Sequence, residues 1–211
     1  MLSRPNYFDE QRQRFAFDTS WQAVIKFDEH SQHRSAQVLN GVWSDEDGVR
    51  YRGSTRGVDF LGLRNRKTYL IEAKDYRLDA RAGRAVWQTP ELARRVGLKV
   101  RDSLATILGG VQTEREAWLR FGEPLLRDRR TLDGPPLVVV LFVELGAVPE
   151  PLREGRRHQP AWGREKPHLS GIQQELKRCL RWVNPELFVL SQAGRPQDLG
   201  ITVTNLPGAG P

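Results

Sequence analysis

The stretch GVDFLGLRNRKTYLIEAK, residues 57–74, decides the fold of this chain. It holds two apolar runs of strand length, residues 57–63 and 69–74, both rich in β-branched and aromatic side chains. The polar residues 64–67 lie between the runs, where a tight turn would join two strands. The sequence therefore predicts a β-hairpin.

Two carboxylates and a lysine lie on this predicted hairpin in a pattern typical of metal-dependent phosphodiester hydrolysis. Side chains alternate along a strand, so Glu72 and Lys74 share one face and Ala73 faces the other way. Mg²⁺ prefers carboxylate and water oxygens. Asp59 and Glu72 are therefore predicted metal ligands, with the backbone carbonyl of Ala73 as a further ligand. Lys74 is suited to orient the attacking water or to stabilise charge in the transition state.

An ordinary strand with a solvent-facing Glu72–Lys74 ion pair is the alternative interpretation, and such pairs contribute little stability. The apolar residues around both acids favour burial instead. A buried carboxylate needs a partner, and a metal ion is a suitable one. We therefore expect Asp59, Glu72 and Lys74 to be catalytic.

At these residues the chain resembles the PD-(D/E)xK nuclease superfamily, with Asp59 as the motif aspartate and Glu72-x-Lys74 as its second half. Val58 stands where the proline of the motif would be. The resemblance covers roughly the first two-thirds of the chain. It implies an α/β restriction-endonuclease-like fold, with a mixed central sheet flanked by helices and a core of helix, three-stranded meander, helix and strand. It also implies Mg²⁺ as cofactor, with Mn²⁺ as a substitute.

The region before the hairpin is predicted to hold the first helix of that core. Residues 18–20 offer helix caps, and apolar residues at helical spacing follow them, so a helix is expected to about residue 39. Residues 1–17 are interpreted as an arm or a short helix. In the superfamily a carboxylate from the first helix often joins the metal site. Asp28 matches this role by helical position and Glu29 by residue type, and both stay open.

The rest of the chain is predicted to complete a single domain over residues 1–206, followed by a flexible tail, 207–211. A basic insertion rich in Pro and Gly, near residues 146–167, is interpreted as a long loop. The remaining predictions are a helix over 90–108, a break at 109–110, a second helical stretch over 111–121, a buried strand over 137–143, a helix over 169–183 and edge strands at 187–190 and 201–204.

The charge of the chain favours a polyanionic partner. Its formal net charge is +7, and neutralised phosphates drive non-specific binding to nucleic acid. Arg56 precedes the hairpin in a basic loop, and Lys99 and Arg101 lie on the helix that the superfamily places beside its active site. These three residues are the predicted phosphate contacts, with a solvated basic surface as the alternative.

Several function classes are disfavoured. No P-loop or Gly-x-Gly-x-x-Gly motif supports nucleotide hydrolysis, and the single Cys179 excludes an internal disulfide and a cysteine zinc cluster. No apolar run reaches the roughly 18 residues that span a membrane, so a cytoplasmic location is expected.

The sequence thus predicts a Mg²⁺-dependent DNA endonuclease, with DNA favoured over RNA as the partner. A non-catalytic or partner-activated nucleic-acid-binding module that retains the nuclease fold is the alternative. A homodimer would suit cleavage of both strands.

Overall fold

The computed structural model describes residues 6–29, 41–44, 50–53, 56–77, 89–113, 116–127, 134–145, 161–194 and 196–207. Within these residues the strands are β1 (Asn6–Glu10), β2 (Gln13–Phe17), β3 (Trp21–Lys26), β4 (Gly41–Ser44), β5 (Arg50–Gly53), β6 (Phe60–Arg64), β7 (Lys67–Asp75), β8 (Leu137–Glu144), β9 (Glu186–Leu190) and β10 (Ile201–Asn205). The α-helices are α1 (Thr89–Gln112), α2 (Glu116–Leu126) and α3 (Ala161–Cys179).

A five-stranded mixed sheet with the order β3-β6-β7-β8-β9 organises the fold. β3, β6 and β7 are antiparallel neighbours, whereas β8 lies parallel to β7 and β9 parallel to β8. Parallel neighbours need a long crossover. Helices α1 and α2 lie in the first crossover and α3 in the second. The predicted α/β class with a mixed sheet is therefore confirmed.

The predicted hairpin is present as β6 and β7. Its two turn residues, Asn65 and Arg66, have φ values of 50° and 59°, and two consecutive positive φ values are typical of a type I′ hairpin turn. The register pairs Phe60 with Ile71. Asp59 precedes Phe60 and Glu72 follows Ile71, so the same register brings these two acids side by side.

The central sheet separates two hydrophobic cores. On one face, β-strand residues such as Leu61, Leu70 and Leu141 pack with the helices. On the other face, Phe60 and Ile71 pack against a three-stranded sheet with the order β1-β2-β10. The helix-side face is the one that carries the predicted site, because residues 59, 61 and 63 share it with residues 70, 72 and 74.

The predicted first helix is wrong over Trp21–Lys26, which form strand β3 at the edge of the central sheet. Apolar residues at 21, 24 and 25 fit a helical period, but a short aromatic and β-branched segment fits a half-buried strand equally well. Pairing with β6 decides in favour of the strand. The remainder of that predicted helix, residues 30–39, lies outside the described residues.

The predicted arm or short helix over residues 1–17 is also wrong for the part that is described. Residues 6–17 form the β1–β2 hairpin. Phe15 and Phe17 are buried and alternate with more exposed neighbours, which is the period of a strand.

The predicted helix break at residues 109–110 is wrong, because α1 continues to Gln112. Gly110 allows close helix packing instead. A Cβ atom on Gly110 would lie 2.0 Å from Trp118 Cδ1 of α2, so only glycine allows this close approach.

The predicted loop over residues 146–167 is shorter than expected, since α3 already begins at Ala161. Residues 146–160 lie outside the described residues, as do 208–211 of the predicted tail. The predicted buried strand is present as β8, and the two predicted edge strands are β9 and β10, each at one edge of its sheet. In the described part of the chain, no helix has the length and hydrophobicity to cross a membrane.

Candidate active site

The site lies where β6 begins, on the helix-side face of the central sheet. Asp59 directly precedes β6 and is buried. Its Oδ2 accepts a hydrogen bond from the backbone N–H of Ala73 at 2.7 Å. This bond holds the Asp59 carboxylate against β7 beyond the last residue pair of the hairpin.

Lys99 of α1 joins the two acids of the hairpin. Its Nζ lies 3.3 Å from Asp59 Oδ1, 2.8 Å from Glu72 Oε2 and 2.7 Å from Glu72 Oε1. The Glu72 side chain is 1% exposed and that of Lys99 is 18% exposed. A single ammonium group thus bridges the two buried carboxylates.

Lys74 lies beside the same pair. It forms an ion pair with Glu72 Oε1 and donates a hydrogen bond to the carbonyl of Ala73 at 3.0 Å. Burial opposes the charge on Lys74, but Glu72 and Asp59 outweigh it and raise the pKa of Lys74 above its ordinary value. The structure therefore brings Asp59, Glu72 and Lys74 together, with Lys74 protonated.

A second group of carboxylates shares Asp59. One carboxylate oxygen each from Glu10, Asp28 and Asp59 lies within 4.8 Å of the others. Asp28 Oδ1 is buried and accepts no hydrogen bond from any residue that the structure describes. Of the two candidates that the sequence left open, Asp28 thus faces the site. Glu29 is 57% exposed and pairs with Lys26 at 2.7 Å.

Burial and the neighbouring negative charges raise the pKa values of two acids in this site. Burial, reinforced by the charge of Asp59, raises the pKa of Glu72 to about 7. Burial also raises the pKa of Asp28 to about 6, with Asp59 and Glu10 adding to the effect. Both carboxyl groups would be better stabilised in their ionised form by an additional cation.

The donor set fits a hard divalent cation such as Mg²⁺. Glu10, Asp28 and Asp59 offer carboxylate oxygens, the ligand type that Mg²⁺ prefers. Asp28 Oδ1 is a buried acceptor with no donor among the described residues. The predicted carbonyl ligand, Ala73, already accepts hydrogen bonds from Lys74 and from Gln11, the latter at 3.2 Å. The carboxylates are thus the better metal ligands.

The predicted phosphate contacts are placed differently from one another. Arg101 is 59% exposed and pairs with Asp102 at 2.7 Å. The backbone N–H of Arg56, an exposed residue, donates to the other oxygen of Asp102 at 3.1 Å. The exposed Arg56 and Arg101 thus contact the same buried aspartate, Asp102, whereas Lys99 points inward to the carboxylates.

Sequence reasoning missed Glu10, Gln11 and Lys26. Lys26 Nζ lies 3.2 Å from Glu10 Oε2 and donates to the carbonyl of Asp9 at 3.0 Å, so it ties the β1–β2 hairpin to β3. The alternation of residues 13–17 signals a strand, but nothing local to Glu10 indicates that it meets Asp59.

The chain matches no protein-family model, and comparison with curated proteins and with solved structures likewise finds no significant match.

Proposed function

We propose that this protein is a metal-dependent nuclease that hydrolyses phosphodiester bonds, with DNA cleaved internally as the favoured reaction. One observation carries the proposal: the Asp59 carboxylate lies between two further acids, Glu10 and Asp28, and the buried Glu72–Lys74 pair. A structural salt bridge alone does not need this excess of buried acid. A hydrolytic site that binds a divalent cation does.

The order of elements adds support. The antiparallel neighbours β3, β6 and β7, followed by helices α1 and α2 and by β8 parallel to β7, are compatible with the meander, helix and strand that the resemblance implies. The strands β4 and β5 come between β3 and β6 in the chain. A restriction-endonuclease-like core is therefore part of the proposal. The chain departs from that core at its first element, since Trp21–Lys26 form a strand where the resemblance implies a helix.

Asp59, Asp28 and Glu10 are the residues that would hold Mg²⁺, with Mn²⁺ as a substitute, and Glu72 on β7 would be a further ligand beside Asp59. The bound cation supplies Lewis-acid activation of water and neutralises charge that develops on the phosphate.

Lys74 provides a positively charged side chain that can act on the attacking water or the phosphate. Its ammonium is directed by Glu72 and by the carbonyl of Ala73, so it is preorganised to donate to the attacking water or to the phosphate. Arg56 and Arg101 lie on the surface, where exposed guanidinium groups can bind neighbouring phosphates and fix the register of the nucleic acid.

Cleavage of supercoiled plasmid and of labelled DNA and RNA oligonucleotides tests the proposal, in Mg²⁺, Mn²⁺ or EDTA. We expect metal-dependent cleavage by the natural protein and by Lys177→Ala, an exposed lysine of α3, and none by Lys74→Ala. Cleavage that persists in EDTA would contradict the metal, and full activity of Lys74→Ala would remove Lys74 from the mechanism. Binding of nucleic acid without cleavage by any protein would favour the non-catalytic or partner-activated module.

A further inference from the structure

We propose that Lys99 is a built-in counter-ion that occupies the cation position between Asp59 and Glu72 and is displaced when a divalent metal ion binds. The proposal rests on the metal-binding role of Asp59 in the proposed function. It gives Lys99 a different task from the phosphate contact that its position on a basic helix predicts.

The position of the ammonium carries the inference. Lys99 Nζ lies within 3.3 Å of oxygens from both acids, and it meets both oxygens of Glu72. A divalent cation shared by Asp59 and Glu72 would need the lone pairs toward which these N–H groups point. Ammonium and metal therefore compete for the same oxygens, and their charges repel each other.

Hydrogen bonds fix the backbone at Lys99, so the exchange of its ammonium for a metal ion has to occur by movement of the side chain. Ser103 Oγ donates to the carbonyl of Lys99 at 2.8 Å and accepts from the N–H of Val58 at 3.0 Å. This hydroxyl ties the Lys99 turn of α1 to the residue that precedes Asp59. The flexible stem of lysine is the part that is free to withdraw.

Lys74 does not have the same role. It contacts Glu72 and the carbonyl of Ala73, and no contact with Asp59 is found among the described hydrogen bonds and ion pairs. Lys99 alone of these two lysines bridges both acids. Lys74 is thus placed to act in the reaction, whereas Lys99 is placed to offset the charge of Asp59 and Glu72 before a metal ion binds.

Calorimetric titration with Mn²⁺, in the absence of nucleic acid, tests the competition. We expect Lys99→Met to bind Mn²⁺ on the order of tenfold more tightly than the natural protein, within the range typical of coupled binding. Lys177→Met, the same substitution on the exposed surface of α3, should leave the affinity unchanged. Equal or weaker Mn²⁺ binding by Lys99→Met would overturn the proposal, as would no Mn²⁺ binding by either protein.

The melting temperature in EDTA provides a readout that needs neither metal nor activity. Lys99→Met leaves two buried acids without their bridging cation, so its metal-free melting temperature should fall and should recover in Mn²⁺ by more than that of the natural protein. An unchanged melting temperature in EDTA would show that Lys99 does not neutralise the pair.

A measurement on the natural protein covers the case in which Lys99→Met does not fold. Amine acylation followed by peptide mass spectrometry reports how accessible each lysine is. We expect Mn²⁺ to increase labelling of Lys99 and to leave Lys177 unchanged; constant or reduced labelling of Lys99 would overturn the proposal. If the natural protein binds Mn²⁺ and the Lys99 comparisons fail, the nuclease proposal still stands, since that proposal is decided by metal-dependent cleavage and its loss in Lys74→Ala.

Discussion

Gln11 takes the place of a missing strand beside Ala73, 62 residues further along the chain. Its side-chain Nε2 donates to the carbonyl of Ala73 at 3.2 Å, and its Oε1 accepts from the N–H of Asp75 at 2.7 Å. β6 begins at Phe60, which pairs with Ile71, so beyond this pair the side-chain amide of Gln11 hydrogen-bonds the edge of β7 in place of β6. This contact positions Glu10, the preceding residue, beside Asp28 and Asp59.

Gln11→Ala should therefore disturb both stability and metal binding. Loss of two partly buried hydrogen bonds is expected to lower the free energy of unfolding by about 1–3 kcal/mol, and Mn²⁺ affinity should fall because Glu10 is no longer fixed. Urea unfolding and calorimetry measure the two effects. Gln173→Ala is the matched control, because its side chain makes one exposed bond, to the carbonyl of Leu187. Equal effects of the two substitutions on Mn²⁺ affinity would contradict the positioning role.

Asp28→Asn should change how stability depends on pH. The pKa of Asp28 is about 6 in the folded protein, above the ordinary value of 3.8, so the folded state binds this proton more tightly than the unfolded state. Its contribution to stability is present below about pH 4 and is lost as the pH rises to about 6. In EDTA, Asp28→Asn should match the natural protein near pH 4 and exceed it at pH 8.

Because Asp28 is only half-buried, solvent screening limits the expected gain to about 1 kcal/mol, or several degrees in melting temperature. Thermal unfolding across this pH range measures it, with the exposed Asp198→Asn as control. The same Asp28→Asn protein should bind Mn²⁺ more weakly. A pH profile parallel to that of the natural protein would argue against a raised pKa of Asp28.

Arg101→Ala should weaken nucleic-acid binding for all sequences alike. Loss of one phosphate contact is expected to reduce the slope of log affinity against log salt by about 1. Fluorescence anisotropy with duplex DNA, in the Lys74→Ala background to prevent cleavage, measures this slope. Arg178→Ala is the control, since Arg178 is also exposed and paired with a carboxylate, Glu175 at 2.9 Å. The same slope for both variants would place the nucleic acid elsewhere.

Two adjacent glycines of α1 should respond in opposite directions to alanine. A Cβ on Gly109 meets no atom within 4 Å, whereas one on Gly110 would overlap the Trp118 ring. Gly109→Ala should stabilise the protein by about 0.5–1 kcal/mol through helix propensity, and Gly110→Ala should destabilise it by about 1–3 kcal/mol through overpacking. Urea unfolding distinguishes them. A similar change in both would contradict the α1–α2 packing.

Local patterns were sufficient to predict the β6–β7 hairpin. Its strands are apolar runs, its turn is short and polar, and the pairing that brings Asp59 beside Glu72 follows from a two-residue turn. Strand β8 was also predictable from local sequence, because residues 137–143 are continuously apolar, as expected for a strand that is buried on both faces. In both cases the information lies within a few neighbouring residues.

The segment of residues 6–29 was harder to predict for a physical reason. The turn of the β1–β2 hairpin contains Gln11 with φ of 54°, a conformation that Gly or Asn usually signals. Trp21, Val24 and Ile25 fit both a helix and a half-buried strand, and only pairing with β6 distinguishes them. The meeting of Glu10 with Asp59 depends on this tertiary packing, so the acid group could not be predicted from the sequence.

The two strands that supply Glu72 and Glu10 differ in how they open to solvent. β7 pairs on both sides and is buried through most of its length, whereas β1 is an edge strand with exposed positions. Amide hydrogens in the middle of β7 should exchange only when the whole protein unfolds, while those of β1 should exchange through local fraying. The acids around Asp59 are therefore held by strands that differ in local stability. Glu72 stays in position until the whole protein unfolds, whereas Glu10 leaves the site whenever the β1–β2 hairpin detaches locally.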